Sequence, residues 1–463
     1  MTDKRSFCIH AHFYQPTRED PFTGKIPDEP GATPYANWNE KIMATCYQPN
    51  VKERNFSAMS FNIGPTLTKW MSENEPEVLE QIVQEDRLNE TLYGAGNAIA
   101  QPYHHTILPL AKYEDKRTQV AWGIHAFRHV FGRQPQGMWL PETAVDYETL
   151  RILAENGITF TILAPWQIRS AEGEPPYRID LGNGKSIVAF VYHGGLSSTI
   201  SFDSFATSNA DAFAEFYVKP EINRYNAKQF LLIASDGELY GHHQPYRDKF
   251  LARLLDGSSN GIGLRATYPA LWLKQNPIMG VAGIVENTSW SCSHGIERWR
   301  GECDCTPGSA WKAGLRQALD MLADEIDNAF IEIATNHGLD PYPARDQYIE
   351  VILGEVPFEE WLQALSSKDY STIGKQKLAT LFEAQKMRQQ MFTSCGWFFD
   401  DLSRIEPRNN LSYAAHTVVL MESITGIDFH TKILLMLSGS VDNSTGKSAA
   451  DHFMYAFQRF KNS

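Results

Sequence analysis

Across its first 300 or so residues, this chain repeats one pattern. A short apolar run ends in polar residues, and an amphipathic stretch with helical spacing follows. The apolar runs SFCIHAHF (6–13), FSAMSFNIG (56–64), GMWL (137–140), TFTILAP (159–165), SIVAFVY (186–192), FLLIAS (230–235) and GIVENTS (283–289) read as strands. Between several of them lie PEVLEQIVQED (76–86), RTQVAWGIHAFRHVFG (117–132) and DYETLRILAENG (146–157), which read as helices. Strands that are apolar on both faces need cover on both sides, so the alternation predicts an α/β fold with a parallel sheet or barrel. RIDLGNGKSIVAF (178–190) predicts a hairpin turning at Asn183-Gly184.

After about residue 305 strand signals cease. Leu315, Leu319, Leu322, Ile326, Phe330 and Ile333 recur at three- and four-residue steps, which predicts one long amphipathic helix. Further helical patterns follow near 345–364, 374–394 and 407–423. Gly, Pro and Ser cluster in GECDCTPGS (301–309), and this places the expected boundary. The reading is a barrel-like catalytic domain over 1–305 and a mostly helical domain over 306–463.

A net charge of −13 without a long basic run argues against a nucleic-acid partner. No stretch reaches the ~18 uninterrupted apolar residues of a membrane span. The start, MTDKRSFCIHAHF, has no apolar run of signal-peptide length, and the six cysteines are sparse for 463 residues, so a reduced cytoplasmic protein is expected. Eleven Trp suit a cleft that stacks on flat apolar faces, although large cores use Trp as well. Neither a G-x-x-x-x-G-K-S/T phosphate loop nor G-x-G-x-x-G is present.

Four polar clusters follow apolar runs. In HAHFYQP, period-2 alternation puts His10 and His12 on one side of a strand, with Gln15 just beyond. QPYHH carries Gln101, His104 and His105; MWLPE carries Trp139 and Glu142; SDGELYGHH carries Asp236, Glu238, His242 and His243. Residues at the C-terminal ends of parallel barrel strands converge on one mouth, so these clusters are expected to share a pocket. Singly, each has a plainer reading: a strand-end Glu is most often a loop or cap residue, and Asp-Gly is often only a turn.

Two carboxylates on different strand ends suit glycoside hydrolysis, which needs such a pair flanking the bond. Burial and a neighbouring carboxylate would keep one of them protonated until the leaving oxygen needs the proton. His side chains would bond sugar hydroxyls, Trp and Tyr would stack on sugar faces, and no cofactor is required. The competing chemistry is a metal-dependent carbohydrate hydrolase or polysaccharide deacetylase, with His10, His12, Asp236 and one further His as ligands. Against it, the chain has no paired Asp-Asp at this strand end, and shows His-X-His where His-X-Asp would be needed. A third reading is a non-catalytic glycan-binding protein that kept the cleft. Separately, Cys292, His294, Cys303 and Cys305 form C-x-H-x8-C-x-C, with metal-ligand residue types but not the usual C-x2-C spacing.

HAHFYQP, MWLPE and ASDGELYGHH, in that order along the chain, resemble the motifs of glycoside hydrolase family 57. The resemblance covers roughly residues 6–300; the C-terminal part, with SCGWFFDDLSRIEPRNNLSYAAH (394–416), resembles a helical domain attached to one branch of that family. It implies a distorted (β/α)7 barrel, an oligo- or polysaccharide substrate with α-linkages, a retaining mechanism and no metal. Glu142 would be the nucleophile and Asp236 the acid/base. His12 would contact the sugar in the cleaved subsite, with His10 beside it, and His104 or His105 would replace a Glu-containing motif of other branches. NTSWSCSHGIERWRGE (287–302) would line the mouth through Trp290, His294, Glu297 and Trp299, its alternative role being inter-domain packing. The family spans amylases, glucanotransferases, branching enzymes and galactosidases, and the sequence does not choose among them.

Overall fold

The computed structural model describes residues 5–224, 230–278, 280–442 and 445–462. They form two compact units. The first takes the chain up to residue 15, then 27–102 and 127–290; the second takes 16–26, 103–126 and everything from 291. The units therefore interleave along the chain, where the sequence reading used one cut near residue 305.

The first unit is built on a ring of parallel staves. β1 (Arg5–Phe13) pairs in parallel with β2 (Ser60–Ile63) on one side and with β7 (Phe230–Asp236) on the other. β2 continues through a single bridge, Phe61 to Ala98, and Ala100 then bridges to Met138. Gly137 bridges to Phe160, which opens β3 (Phe160–Leu163). β3 pairs in parallel with β6 (Lys185–Val191). The His193 N–H just after β6 donates to Leu232 O of β7 at 2.7 Å and closes the ring. Among the described residues this gives seven staves, four of them only three or four residues long: a distorted (β/α)7 barrel.

Alternation decides what fills it. Cys8, Phe160, Ile162, Phe190, Phe230, Leu232 and Ala234 pack in one cluster with Ile99 and Trp139. His10 and His12 share the face of Cys8, and Asp236 shares the face of Leu232 and Ala234. The apolar residues therefore form the floor, and the polar ones are delivered to the C-terminal rim. Both faces of β1 and β7 are buried nearly throughout, as expected of parallel strands covered by helices.

The hairpin forms as expected: β5 (Tyr177–Gly182) runs antiparallel to β6, and Asn183 and Gly184 both take positive φ (52° and 73°). Three expected strands are trimmed. The run 56–64 starts with a 3-10 turn and is extended only over Ser60–Ile63; 137–140 makes only isolated bridges; and 283–289 is extended only to Ile284, within β9 (Gly280–Ile284). β4 (Ile168–Glu172) and β8 (Leu264–Ala266) carry too little apolar pattern to have been expected.

The second unit is helical. Its long helix runs Trp311–Asn336 and buries the predicted stripe Leu315, Leu319, Leu322, Ile326, Phe330 and Ile333. Thr372–Gln390 and Ile405–Thr425 match two further patterns, whereas 345–364 breaks into Pro341–Gln347, Ile349–Ile352 and Phe358–Leu365. Trp361 stands edge-on to Phe382 (centroids 4.8 Å apart), and Phe330 packs on the same ring. Asp115 and Asp327 lie buried against Arg388 and Arg345 in this unit. No helix of the described residues is long and apolar enough to cross a membrane.

Candidate active site

The register of the parallel strands assembles the rim. His12 stands opposite Asn62 of β2 on one side and Asp236 of β7 on the other. Asn62 binds both imidazoles: its Oδ1 lies 3.2 Å from His10 Nε2, and its Nδ2 3.0 Å from His12 Nδ1. Ser60 Oγ holds the other nitrogen of His10 at 2.9 Å, and Gln101 Oε1 accepts from Asn62 Nδ2 at 2.8 Å. Trp139 stacks on both His rings, at 4.8 and 5.1 Å between centroids. Burial, with the nearby His12 charge, lowers the pKa of His10 to about 3; burial lowers that of His12 to about 4. Both are therefore neutral hydrogen-bonding groups near neutrality. Among the described residues, His10, His12 and Asp236 do not bring donor atoms close enough together to share one ion.

Glu142 sits where the stave 137–139 leaves the barrel. The chain turns at Pro141–Thr143 with both Glu142 (φ 57°) and Thr143 (φ 50°) in the left-handed region. For residues with a Cβ this costs roughly 1–2 kcal/mol each, most acutely for β-branched Thr. The surroundings hold it there. Trp290 N–H donates to Glu142 O at 2.9 Å, Asn287 N–H to Val145 O at 2.8 Å, and Val145 N–H to Thr288 O at 3.2 Å. Buried Gln167 receives the Thr143 hydroxyl (2.9 Å) and donates to Thr143 O (2.8 Å) and Thr288 O (3.0 Å). Asp146 then caps the next helix by accepting from Thr149 N–H at 2.7 Å.

The segment 287–290 also reaches the Glu142 side chain: Trp290 Nε1–H donates to Glu142 Oε2 at 2.9 Å. The same indole packs edge-on against Trp139 (4.9 Å) and His12 (6.2 Å). A hydrogen bond to a charged group is worth about 1.5–3 kcal/mol, so Trp290→Phe should lower kcat by about 10–100-fold. KM should change little, because the ring stays and only its grip on the carboxylate goes. Steady-state kinetics of the variant separate the two; a rise in KM at constant kcat would make Trp290 a sugar platform instead.

Asp236, the one solvent-open residue of β7, lies at the strand end. Neighbouring protein still surrounds its carboxyl. Lost hydration, then the charges of Glu238 and Glu142, push it up to about 8. Glu238 is buried two residues on. Its Oε1 accepts from Tyr47 Oη (2.7 Å), Tyr14 N–H (3.1 Å) and Gln15 Nε2 (3.4 Å). Burial pushes the Glu238 carboxyl up to about 7, against the pull of those donors. Gly237 between them is required sterically: a Cβ there would meet the Phe13 ring at 2.2 Å. An acid at Asp236 works only while protonated. Activity should therefore fall on the alkaline side as pH passes about 8. Glu238→Gln removes one of the charges that raise Asp236, so that limb should move to lower pH. A pH profile of kcat/KM unchanged in the variant would contradict this.

The remaining residues from the sequence reading divide between the units. His242 bonds Thr45 Oγ1 at 3.1 Å and stands edge-on to Trp38; His243 is exposed beside it. His104, His105, His294, Glu297 and Trp299 all belong to the second unit. There, His104 packs between Tyr103 and Trp122 and receives Gln119 Nε2 at 3.1 Å, while His105 meets Ser394 Oγ at 2.6 Å. Glu297 pairs with Arg300 on the surface, and Trp299 is fully buried. Asn62, Ser60, Tyr47 and Gln167 escaped the sequence reading. Nothing in SFNIG or PWQ marks a functional Asn or Gln. Tyr192, edge-on to Trp290, and half-exposed Trp166, whose Nε1 donates to Ser289 O at 2.9 Å, were also missed.

Comparisons with known proteins agree with this barrel. The family model described as glycosyl hydrolase family 57 matches residues 8–258, and that of a domain of unknown function, DUF3536, matches 308–455. No curated protein matches the chain. Among solved structures, an exo-type maltose-forming amylase from Pyrococcus sp. ST04 superposes with a TM-score of 0.77 at 14% identity, covering 94% of this chain and 82% of its own. A branching enzyme from Pyrococcus horikoshii gives 0.62 at 15%, covering 98% and 97%. A 4-α-glucanotransferase from Thermococcus litoralis gives 0.55 at 14%, covering 90% and 58%. At such identities these likenesses establish the shared fold, whereas the family model spans more than half of the 463 residues. The chain belongs to glycosyl hydrolase family 57.

Proposed function

We propose that the barrel rim is the active site of a retaining enzyme on α-linked glucans, with Glu142 as nucleophile and Asp236 as acid/base. The observation that carries this is the contrast between the two carboxyls. Glu142 receives an indole N–H on its side chain and is set by a strained turn, as suits an oriented nucleophile. Asp236, with its pKa raised to about 8, keeps a proton to give. The two lie close enough for the charge of one to raise the other. Retention calls for a separation of about 5–5.5 Å, against about 6.5–9.5 Å for inversion.

In this reading Asp236 protonates the glycosidic oxygen while Glu142 attacks the anomeric carbon, forming a glycosyl-enzyme. Asp236 then takes a proton from water, giving hydrolysis, or from a sugar hydroxyl, giving transfer. His12 contacts the sugar and His10, behind it, fixes Asn62. Half-exposed Trp166 supplies aromatic surface, with buried Tyr192 edge-on against it. The α-glucan assignment draws on the names of the similar structures, an amylase, a branching enzyme and a glucanotransferase. The first unit (up to residue 15, 27–102 and 127–290) is assigned to catalysis, and the helical second unit to an accessory role.

The test is to incubate wild type and Asp236→Asn with maltooligosaccharides and soluble starch, and to follow the products by chromatography. The variant should lose about 10²–10⁴-fold in kcat/KM, which reports the step that expels the leaving group, on these substrates. It should lose far less on an activated aryl glycoside, whose leaving group needs no proton. Equal losses on both would remove Asp236 from the acid role, and an inert wild type would remove the α-glucan assignment.

A further inference from the structure

We propose that Cys292, His294, Cys303 and Cys305 hold one zinc ion. One donor atom from each lies within 4.8 Å of all the others. The individual edges fit a tetrahedron. With Zn–S of about 2.3 Å and Zn–N of about 2.0–2.1 Å, a tetrahedral site has S···S edges of about 3.8 Å and S···N edges of about 3.6 Å. Cys292 Sγ and Cys303 Sγ are 3.9 Å apart, and Cys305 Sγ and His294 Nδ1 are 3.5 Å apart. The first distance is far too long for a disulfide, whose sulfurs lie about 2.05 Å apart.

The surroundings are those of a thiolate centre. Backbone N–H groups of His294 and Arg298 point to Cys292 Sγ, and that of Ser293 points to Cys305 Sγ. Ser293 Oγ lies 3.6 Å from Cys305 Sγ and 3.5 Å from His294 Nδ1. The other His294 nitrogen faces Asp304 Oδ2 at 3.8 Å, the side on which metal-bound imidazoles commonly meet a carboxylate. Lys312 is fully buried beside the cluster. Its Nζ donates to Thr306 Oγ1 at 2.9 Å, and that hydroxyl lies 3.8 Å from Cys303 Sγ. A buried ammonium needs negative charge close by. Burial and then the charge of Arg298 lower the Lys312 pKa to about 8, against the pull of Cys303, Asp400 and Cys292; three thiolates and one imidazole around Zn²⁺ would carry a net −1 on the side that favours the ammonium.

With four protein ligands the site is closed, so its role is structural rather than catalytic. It staples 292–294 to 303–305 and closes the loop that carries Glu297 and buried Trp299, just ahead of the long helix at Trp311. This assigns His294 to metal rather than to sugar. The sequence showed the ligand types in C-x-H-x8-C-x-C without the usual C-x2-C spacing, and the fold brings the four donor atoms together.

The test uses full-length protein, reduced and purified without chelator. Elemental mass spectrometry should find one zinc per chain, and the double variant Cys303→Ser, Cys305→Ser should lose it. To separate loss of metal from loss of fold, wild-type apoprotein is also titrated with Co²⁺. Strong tetrahedral d–d bands and thiolate-to-cobalt charge transfer should saturate at one equivalent, and His294→Ala should shift them. Zinc no higher than in the double variant, a weak octahedral cobalt spectrum, or a Cys292–Cys303 disulfide in freshly isolated protein would each overturn the proposal.

Discussion

Glu142→Gln is expected to lower kcat by on the order of 10⁴–10⁶-fold, the scale on which loss of a covalent nucleophile is felt. The substitution is close to a pure removal of chemistry. Gln has the same shape, its amide oxygen can still accept from Trp290 Nε1, and the left-handed backbone at φ 57° is unchanged. The fold, thermal midpoint and oligosaccharide binding should therefore stay near wild type. Single-turnover kinetics beside a binding isotherm separates these quantities. Turnover within an order of magnitude of wild type would remove Glu142 as nucleophile. Weakened binding with an altered melting curve would mean that the turn depends on the carboxylate charge.

The largest expected effect on stability lies in the helical unit. Asp115 is buried and bonded by Arg388 Nη1 (2.5 Å) and Gln389 Nε2 (2.7 Å), with Arg345 Nη2 at 3.0 Å. Arg388 also meets Asp327 Oδ2 at 2.6 Å, and both arginines are fully buried. Asp115→Asn leaves two buried guanidinium groups sharing the charge of Asp327. Breaking a buried pair in this way costs about 3–5 kcal/mol. Equilibrium denaturation should show a loss of that order, whereas removing the exposed Lys219–Glu215 pair should change stability by no more than about 1 kcal/mol. Burial alone would raise the Asp115 carboxyl, but Arg388 and Arg345 outweigh it and hold it at about 2. Because the folded value lies below the ordinary 3.8, this stabilisation is present above about pH 4 and is lost as pH falls towards 2. An Asp115→Asn variant as stable as wild type at pH 7 would show that the network is not holding the helices together.

The alternation of strand and helix announced the barrel because each long stave is apolar on both faces, and FLLIAS before Asp236 is the plainest example. Period-2 spacing put His10 and His12 on one face without ambiguity. The short staves at 98–100 and 137–139 were harder, since three or four residues carry almost no periodic signal. The positioning groups were hidden for a different reason. Asn62 acts only because β2 lies beside β1 in one register, Tyr47 reaches Glu238 across 191 positions, and Gln167 reaches Thr143 across 24. Those are facts of tertiary pairing, which no local pattern encodes. Trp290 was placed near the mouth by its neighbourhood, but its bond to Glu142 depends on 287–290 running alongside 142–145. His104 and His105 follow a short stave in sequence, and the partners that hold them, Gln119, Trp122 and Ser394, belong to the second unit.

The central claim is double displacement through Glu142 and Asp236, and proton NMR of the first minutes of maltooligosaccharide cleavage tests it most directly. The anomeric proton of the newly formed reducing end should appear first as the α-anomer, with the β-anomer growing only at the rate of mutarotation. Early β-anomer would mean inversion, a base-activated water in place of a glycosyl-enzyme, and would contradict the account.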